Sequence, residues 1–465
     1  MKQSRLKEGG KEMKISNEIE SRNYIGEIRQ RFALGKYAIL TGRVIGKRPF
    51  RDILFFHLKD QSGAMQLIFD RNISGEEIFT MGKKIKLGDI ILVKGKCYIT
   101  KKNEKSLLVK ECSVLTHNQT PGFIGFKKVK KTPFHKERYI ELAGNQEKFK
   151  YHADCSSLIF YVRQALYNRG FLEFNTGILQ SHFEGGLAEP FETYLKARNK
   201  KLYLRPTTEI KLKQLLASGY EKIFEIGNLF RNEGFSSKSS PEFILLDCYW
   251  AFKDYHDMMI LFETVIKEAA LKTFGKFDAQ TPQRVTNLLE PWKKKSFTQV
   301  LQEMLNEEVS SFRDKNNLKR ILLEHRINPS TCRTEGEMIR RILEKIIIPK
   351  TIFPTYITEI PLAALPLAKA SSKNEEISEG AILAIDRMFV GDVYTDENDP
   401  DIMKGRLIEQ SRATGKPVNE NFINLLKFGV PPSAGFGLGV NKLLLVFRGN
   451  WGKDVRETFV FPPFK

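Results

Sequence analysis

The sequence predicts a mixed α+β protein in which a small β-barrel precedes a larger domain of interleaved strands and helices. Three observations carry this. Short β-type segments follow one another between residues 35 and 116, separated by turn signals such as Gln61-Ser62-Gly63. From Gly170 onward strand-like and helix-like segments alternate to the C-terminus. Two strand-like segments, Lys222 to Leu229 and Phe243 to Trp250, flank the run Phe230-Arg231-Asn232-Glu233-Gly234 and a polar loop ending at Pro241-Glu242-Phe243, as the arms of an antiparallel hairpin.

The chain has 465 residues, enough for two or three domains, and 41% of them are hydrophobic, enough for sizeable cores. Lys and Arg number 75 against 55 Asp and Glu, a formal charge of +20. That surplus favours a polyanionic partner such as a nucleic acid or an anionic lipid surface, with a solvated lysine-rich surface as the plain alternative. The five cysteines, Cys97, Cys112, Cys155, Cys248 and Cys332, form no C-x-x-C pair, which speaks against a zinc or disulfide scaffold and for a reducing compartment. His152 and Cys155 lie three apart with no further ligands close in sequence, so they read as two residues of one helix, and no metal site is expected from them. No apolar run is long enough to cross a membrane and no apolar leader opens the chain, so a cytoplasmic protein without a membrane partner is expected.

In chain order, residues 1–30 form a polar extension, 31–118 the barrel and 119–147 a lysine-rich linker with Pro121, Gly122 and Pro133. Residues 148–465 form the large domain. Within it, Lys148 to Asn168 has apolar residues at helical spacing, Glu209 to Leu216 reads as a helix start, and Asp257 to Leu271 places Met258, Leu261, Phe262, Val265 and Ile266 on one helical face. Residues from about 280 to 345 are charged and helical, an insertion.

Arg231 is the strongest site candidate. Its guanidinium fork suits an ATP phosphate and a carboxylate bidentately and would stabilise charge in a phosphoryl transition state. Glu233 could accept from an adenine amino group and Phe243 could stack on the base. The plain alternative is a surface hairpin with a structural Arg–Glu pair. Downstream, Gly435, Gly437 and Gly439 recur at every second position before Asn441-Lys442, a pattern that allows close backbone approach by a ligand, with Lys442 as a point charge for a terminal phosphate. Glu209, Asp247, Asp392, Tyr394 and Asp396 could line a polar pocket whose carboxylates receive an ammonium group. In the barrel, Phe55 or Phe56 and Gln66, beside Arg43, Lys47 and Arg48, are candidates for single-stranded base contacts, although strand alternation sends one of the two phenylalanines inward.

Taken together these stretches resemble the class II lysyl-tRNA synthetases from residue 35 to the C-terminus. The resemblance rests on Phe56-His57-Leu58-Lys59-Asp60-Gln61-Ser62-Gly63, on Glu137-Arg138-Tyr139, Asn168-Arg169-Gly170 and Gly185-Gly186 with Pro190-Phe191, and on Tyr203-Leu204-Arg205. It is densest from Arg231 through Phe243 to Asp257, and continues through Pro366-Leu367-Ala368-Lys369, Asn398-Asp399-Pro400, Gly429-Val430-Pro431-Pro432 and Gly435 to Lys442. It implies an OB-fold anticodon-binding barrel, a class II catalytic domain with an antiparallel sheet flanked by helices, and a homodimer built partly from residues 155–180. The implied activity is ATP-dependent formation of lysyl-adenylate and transfer of lysine to tRNA. By position, Arg231, Glu233 and Phe243 match the ATP-binding pattern, Glu209 and Tyr249 the amino-acid pocket, and Arg48, Phe56 and Gln66 the anticodon contacts.

The departures cluster at the site. Asp247 and Asp396 stand where the family has glutamates for lysine, each drawing its carboxylate back by roughly 1.5 Å. Asp392 replaces an asparagine and Tyr394 a phenylalanine. Lys442 replaces an arginine, and Asn441 the acid before it. Magnesium is possible, but Ile382 and Phe389 stand where the family has the glutamates that normally hold it. Ser239 replaces a histidine, and the family's proline after the first-motif helix is either replaced by Gly177 or displaced by one. An active synthetase for lysine, a paralogue with another amino substrate, and a weak or inactive paralogue kept for RNA or partner binding all remain open on these residues.

Overall fold

The computed structural model describes residues 19–120, 138–184, 186, 188–275, 287–308, 312, 314–447 and 454–462. The extension up to residue 18, the lysine-rich stretch 121–137, Gly185 and the start of the insertion, 280–286, lie outside the described residues. The chain divides into two compact units, Met1–Phe149 and Lys150–Phe464.

The first unit is a ring of five strands: β1 (Tyr37–Pro49), β2 (Ile53–Lys59), β3 (Ala64–Asp70), β4 (Ile90–Ile99) and β5 (Lys105–Thr116). Their order is β1-β2-β3-β5-β4, with β4 pairing back on β1. The ring is closed, and it is antiparallel except where β3 and β5 run parallel, meeting from Gln66↔Ser106 to Ile68↔Leu108 in a short seam. Bulges at Val44/Gly46 and Lys94/Gly95 supply the bend. Leu40, Val44, Leu54, Phe56, Leu58, Leu67 and Val93 fill the interior.

Strand alternation corrects the choice of phenylalanine. Phe56 is fully buried, edge-on to Phe69 at 4.9 Å, so it cannot stack on a base without leaving the core. Phe55 lies on the outer face, directly across β1–β2 from Arg48, with Phe50 at 5.6 Å. Gln66 pairs across with His57 on that same outer face but is itself largely covered.

The second unit is built on an eight-stranded sheet in the order β12-β13-β16-β17-β18-β11-β10-β6. Its strands are β6 (Leu172–Glu173), β10 (Lys222–Phe230), β11 (Glu242–Ala251), β12 (Lys293–Ser296), β13 (Thr355–Thr358), β16 (Gly380–Ile385), β17 (Met388–Thr395) and β18 (Ser433–Gly439). Two small sheets accompany it: β7 (Leu179–Gln180), β8 (Phe191–Leu195) and β9 (Lys200–Leu204), and the pair β14 (Ala370–Ser371) and β15 (Asn374–Ser378). The expectation of an antiparallel catalytic sheet is corrected at both edges, where β6 pairs parallel with β10 and β12 parallel with β13. Parallel neighbours need a long crossover, and both connections supply one, through the small three-stranded sheet and through the inserted helices.

The helices of this unit are α1 (Gln146–Tyr167), α2 (Glu209–Ala217), α3 (Tyr255–Phe274), α4 (Phe297–Leu305), α5 (Lys315–Glu324), α6 (Glu335–Ile342), α7 (Pro400–Thr414), α8 (Glu420–Gly429) and α9 (Val440–Phe447). α3 starts at Asp254, whose carboxylate accepts from the His256 and Asp257 N–H groups, and it buries Met258, Leu261, Phe262, Val265 and Ile266. Those side chains, with residues of α1 and α9, cover one face of the sheet through Leu246, Cys248, Phe436 and Leu438. Helices α4, α5 and α6 form a separate apolar cluster that closes over Ile357 and Ile382. At Gly177 φ is +80°, a conformation closed to proline, so the departure there is one of backbone path as well as side chain.

Candidate active site

Period-two alternation divides the central strands into a core face and a site face. On β18, Ala434, Phe436 and Leu438 point into the core, which leaves Gly435, Gly437 and Gly439 on the opposite side. In one row across the sheet, Asp247 of β11, Gly437 and Asp392 of β17 are directly paired; in the next, Tyr249, Gly435 and Tyr394. A Cβ at 435 would lie 2.5 Å from the Tyr249 ring, and one at 437 would lie 3.1 Å from Asp247 Oδ1 and 3.6 Å from Asp392 Oδ1. The glycines therefore make a floor onto which flanking side chains lean, and they are needed there for space.

Above this floor lies a cavity of about 430 Å³ lined by Glu209, Arg231, Glu233, Phe243, Asp247, Tyr249, Arg340, Phe389, Asp392, Tyr394 and Lys442, among others. The hairpin β10–β11 pairs from Lys222↔Trp250 to Phe230↔Glu242, which brings Arg231 to the cavity mouth. The Arg231 N–H donates to Pro241 O at 2.9 Å and its Nε to Pro206 O at 3.2 Å, while Cζ lies 5.4 Å from the Phe243 ring centre. That leaves Nη groups of a fixed guanidinium for a ligand. Asn441 is structural: its Oδ1 accepts from Ile244 N–H at 2.6 Å and its Nδ2 donates to Thr458 Oγ1 at 2.7 Å, tying α9 to β11.

The carboxylates are already engaged. Asp396 does not line the cavity; it is buried beneath it, accepting from Ser433 Oγ at 2.6 Å and pairing with Lys213 Nζ at 2.8 Å. Lys213 also reaches Glu209 Oε1 at 2.8 Å, and Tyr394 Oη donates to the same oxygen at 3.0 Å. The Lys213 side chain is only 1% exposed and lies 5.4–6.0 Å from the rings of Tyr249, Tyr394 and Phe422. Burial pushes its ammonium pKa down, but Asp396 and Glu209 more than offset this and hold it above the ordinary lysine value. Asp392 Oδ2 accepts from Arg340 Nη1 and Nη2 at 3.2 and 3.1 Å. Asp247 accepts from the Thr208 hydroxyl, which leaves the start of α2 without a side-chain cap.

Lys213, Thr208 and Arg340 did not emerge from the sequence. Lys213 had a signal: it follows Glu209 by four residues on one helix, the favoured order for an ion pair. Arg340 had none, because it comes from the insertion, 52 residues from Asp392.

The donor set does not suit a divalent metal. Ile382, where the resemblance expects a metal-binding acid, is sealed in the insertion's core, and Phe389 faces Lys442 Nζ at 4.6 Å and Arg340 Cζ at 5.5 Å. Among the described residues there is no group of three or more His, Cys, Asp or Glu placed to hold a metal ion.

Burial pushes the Asp247 carboxyl up from its ordinary value of 3.8 to about 7, against the opposing Thr208 hydrogen bond, with Glu209 adding to the rise. A raised carboxyl stabilises the fold most while the group is protonated in both states, below the ordinary carboxylate range, and that contribution is lost as pH rises towards 7. The stability of the native protein relative to Asp247→Asn should therefore fall between about pH 4 and pH 7 and level off above, as read by urea unfolding across that range.

Comparison with known proteins agrees with this geometry. Residues 132–465 match the family described as class II tRNA synthetases (D, K and N), and residues 38–115 match the OB-fold nucleic acid binding domain. The lysine–tRNA ligase 2 of Methanosarcina acetivorans is 33% identical over 436 residues, 91% of this chain and 84% of that protein. The lysine–tRNA ligase of Chloroflexus aurantiacus is 31% identical over 434 residues (91% and 88%), and that of Buchnera aphidicola 30% over 471 (99% and 92%). Membership of this ATP-dependent family implies use of ATP and magnesium in general terms. The chain belongs to the class II lysyl-tRNA synthetase family.

Proposed function

We propose that this protein activates lysine with ATP to lysyl-adenylate and transfers the lysyl group to tRNA. The observation that carries the reading is the glycine-floored cavity, in which one end presents Arg231 and Phe243 and the other Glu209, Asp247, Tyr249 and Tyr394. A nucleotide with its base against Phe243 would place its α-phosphate near the Arg231 fork. An amino acid lying over Gly437 would offer its ammonium groups to Glu209 and Asp247 and its carboxylate towards the phosphate. In the first step a substrate carboxylate oxygen bonds to the α-phosphorus as the bond to pyrophosphate breaks. The protein's contribution is alignment of the two reactants and stabilisation of the equatorial phosphate charge by Arg231, with no covalent enzyme intermediate. Phe55, Phe50 and Arg48 on the outer face of the first unit suit stacking and phosphate contacts with single-stranded RNA.

One observation favours a retuned amino substrate as the second reading. Asp396 and one oxygen of Glu209 are neutralised by Lys213, so fewer carboxylates face the cavity than a side-chain ammonium would ordinarily meet. We place the protein in the cytoplasm, in keeping with five buried cysteines, none of them in a disulfide. We also assign it a homodimeric state through the 155–180 region, where Phe160, Tyr167, Ile178 and Leu179 expose large apolar surfaces.

Pyrophosphate exchange into ATP should depend on lysine and fall at least 100-fold in Arg231→Ala. Exchange with a different amine alone would establish the second reading, and silence with every amino acid would refute adenylation. Sedimentation equilibrium should give twice the chain mass, and Tyr167→Glu should shift the protein towards the monomer; a native monomer would dispose of the dimer.

A further inference from the structure

We infer that Arg340 and Lys442 hold the polyphosphate of the nucleotide in place of a divalent cation, so that ATP binds this protein without metal. The inference rests on the ATP reading above and goes beyond it in naming what neutralises the phosphates. Arg231, Lys238, Arg340 and Lys442 all line the one cavity. Arg340 and Lys442 converge on the Phe389 ring, at 5.5 and 4.6 Å, from opposite parts of the chain, α6 and α9. Ion-accepting carboxylates there are spoken for: Asp392 is bound by both Nη atoms of Arg340, and Glu344 lies 4.0 Å from Arg340 Nη2. A metal seated on Asp392 would have to displace or repel the guanidinium.

Burial pushes the Arg340 guanidinium down, but Asp392 and Glu344 more than offset this, so of the two cations it is Lys442 that is short of negative charge. Burial, together with Arg340 and Arg231 nearby, holds the Lys442 ammonium below the ordinary lysine value despite Glu344 and Asp392. A polyanion entering the cavity would relieve that repulsion. A planar guanidinium bridging two phosphate oxygens beside a lysine point charge supplies the charge neutralisation that a hydrated metal ion supplies elsewhere. The neighbouring Phe389 ring offers both cations a π face and no hydrogen-bond acceptor of its own.

The test is calorimetric titration of the full-length protein with ATP, in EDTA and in magnesium chloride. The affinity in EDTA should lie within about threefold of that in magnesium. Arg340→Gln and, separately, Lys442→Gln should each weaken binding in EDTA at least tenfold, with Asp392→Asn added to Arg340→Gln as the variant that leaves no unpaired acid. Tight binding in magnesium with at least a tenfold loss in EDTA would overturn the inference while leaving the ATP reading intact, as would native affinity in all the variants. Absence of binding in both buffers would overturn the ATP reading and the inference with it.

Discussion

The ammonium of Lys213 joins Glu209 on its own helix to Asp396 at the end of β17, under a roof of three aromatic rings. The arrangement of acids at one end of the cavity refers to this bond. It sets α2 against the sheet, it orients Glu209 so that Tyr394 can donate to it, and it compensates two acids that would otherwise repel each other and Asp247 in a place poorly reached by water. A single charge buried with two partners is costly to form and far more costly to break, so it fixes one arrangement of the site.

The second constraint is steric. The floor of the cavity exists because β18 alternates bulky and absent side chains, so one strand both seals the core and opens a trough between Asp247 and Asp392. The trough brings charged groups close, and the protein balances them pairwise: Lys213 with Glu209 and Asp396, Arg340 with Asp392, a hydroxyl with Asp247. What is left for substrates is a set of cations near Phe389 and Phe243 and a carboxyl, Asp247, poised near neutrality. The shortened acids at 247 and 396 thus act in different ways. Asp247 remains at the cavity wall, whereas Asp396 has become part of the support beneath it.

Much of this was legible in the sequence. The β10–β11 hairpin, the buried face of α3 and the alternating glycines follow from local periodicity, which dictates what one strand or helix does. The hairpin turn alone placed Arg231, Glu233 and Phe243 together. What local pattern could not convey was which face of the barrel strand held its aromatic, because two adjacent phenylalanines fit either register; burial of Phe56 against Phe69 decided it. Nor could it convey the parallel edge pairs, which depend on long crossovers, or the reach of Arg340 from the insertion to Asp392. Lys213 is the instructive case. Its pairing with Glu209 was visible as a four-residue spacing, but its pairing with Asp396 joins residues far apart in the chain and appears only when the sheet is assembled.

The measurement closest to the centre of this account is the unfolding free energy of Lys213→Met against the native protein in urea. If the buried ammonium holds two acids together, its loss leaves them uncompensated and should cost about 3–5 kcal/mol at neutral pH. A loss below about 1 kcal/mol would mean that the acids are satisfied without it, and that the charge balance described here does not organise the site.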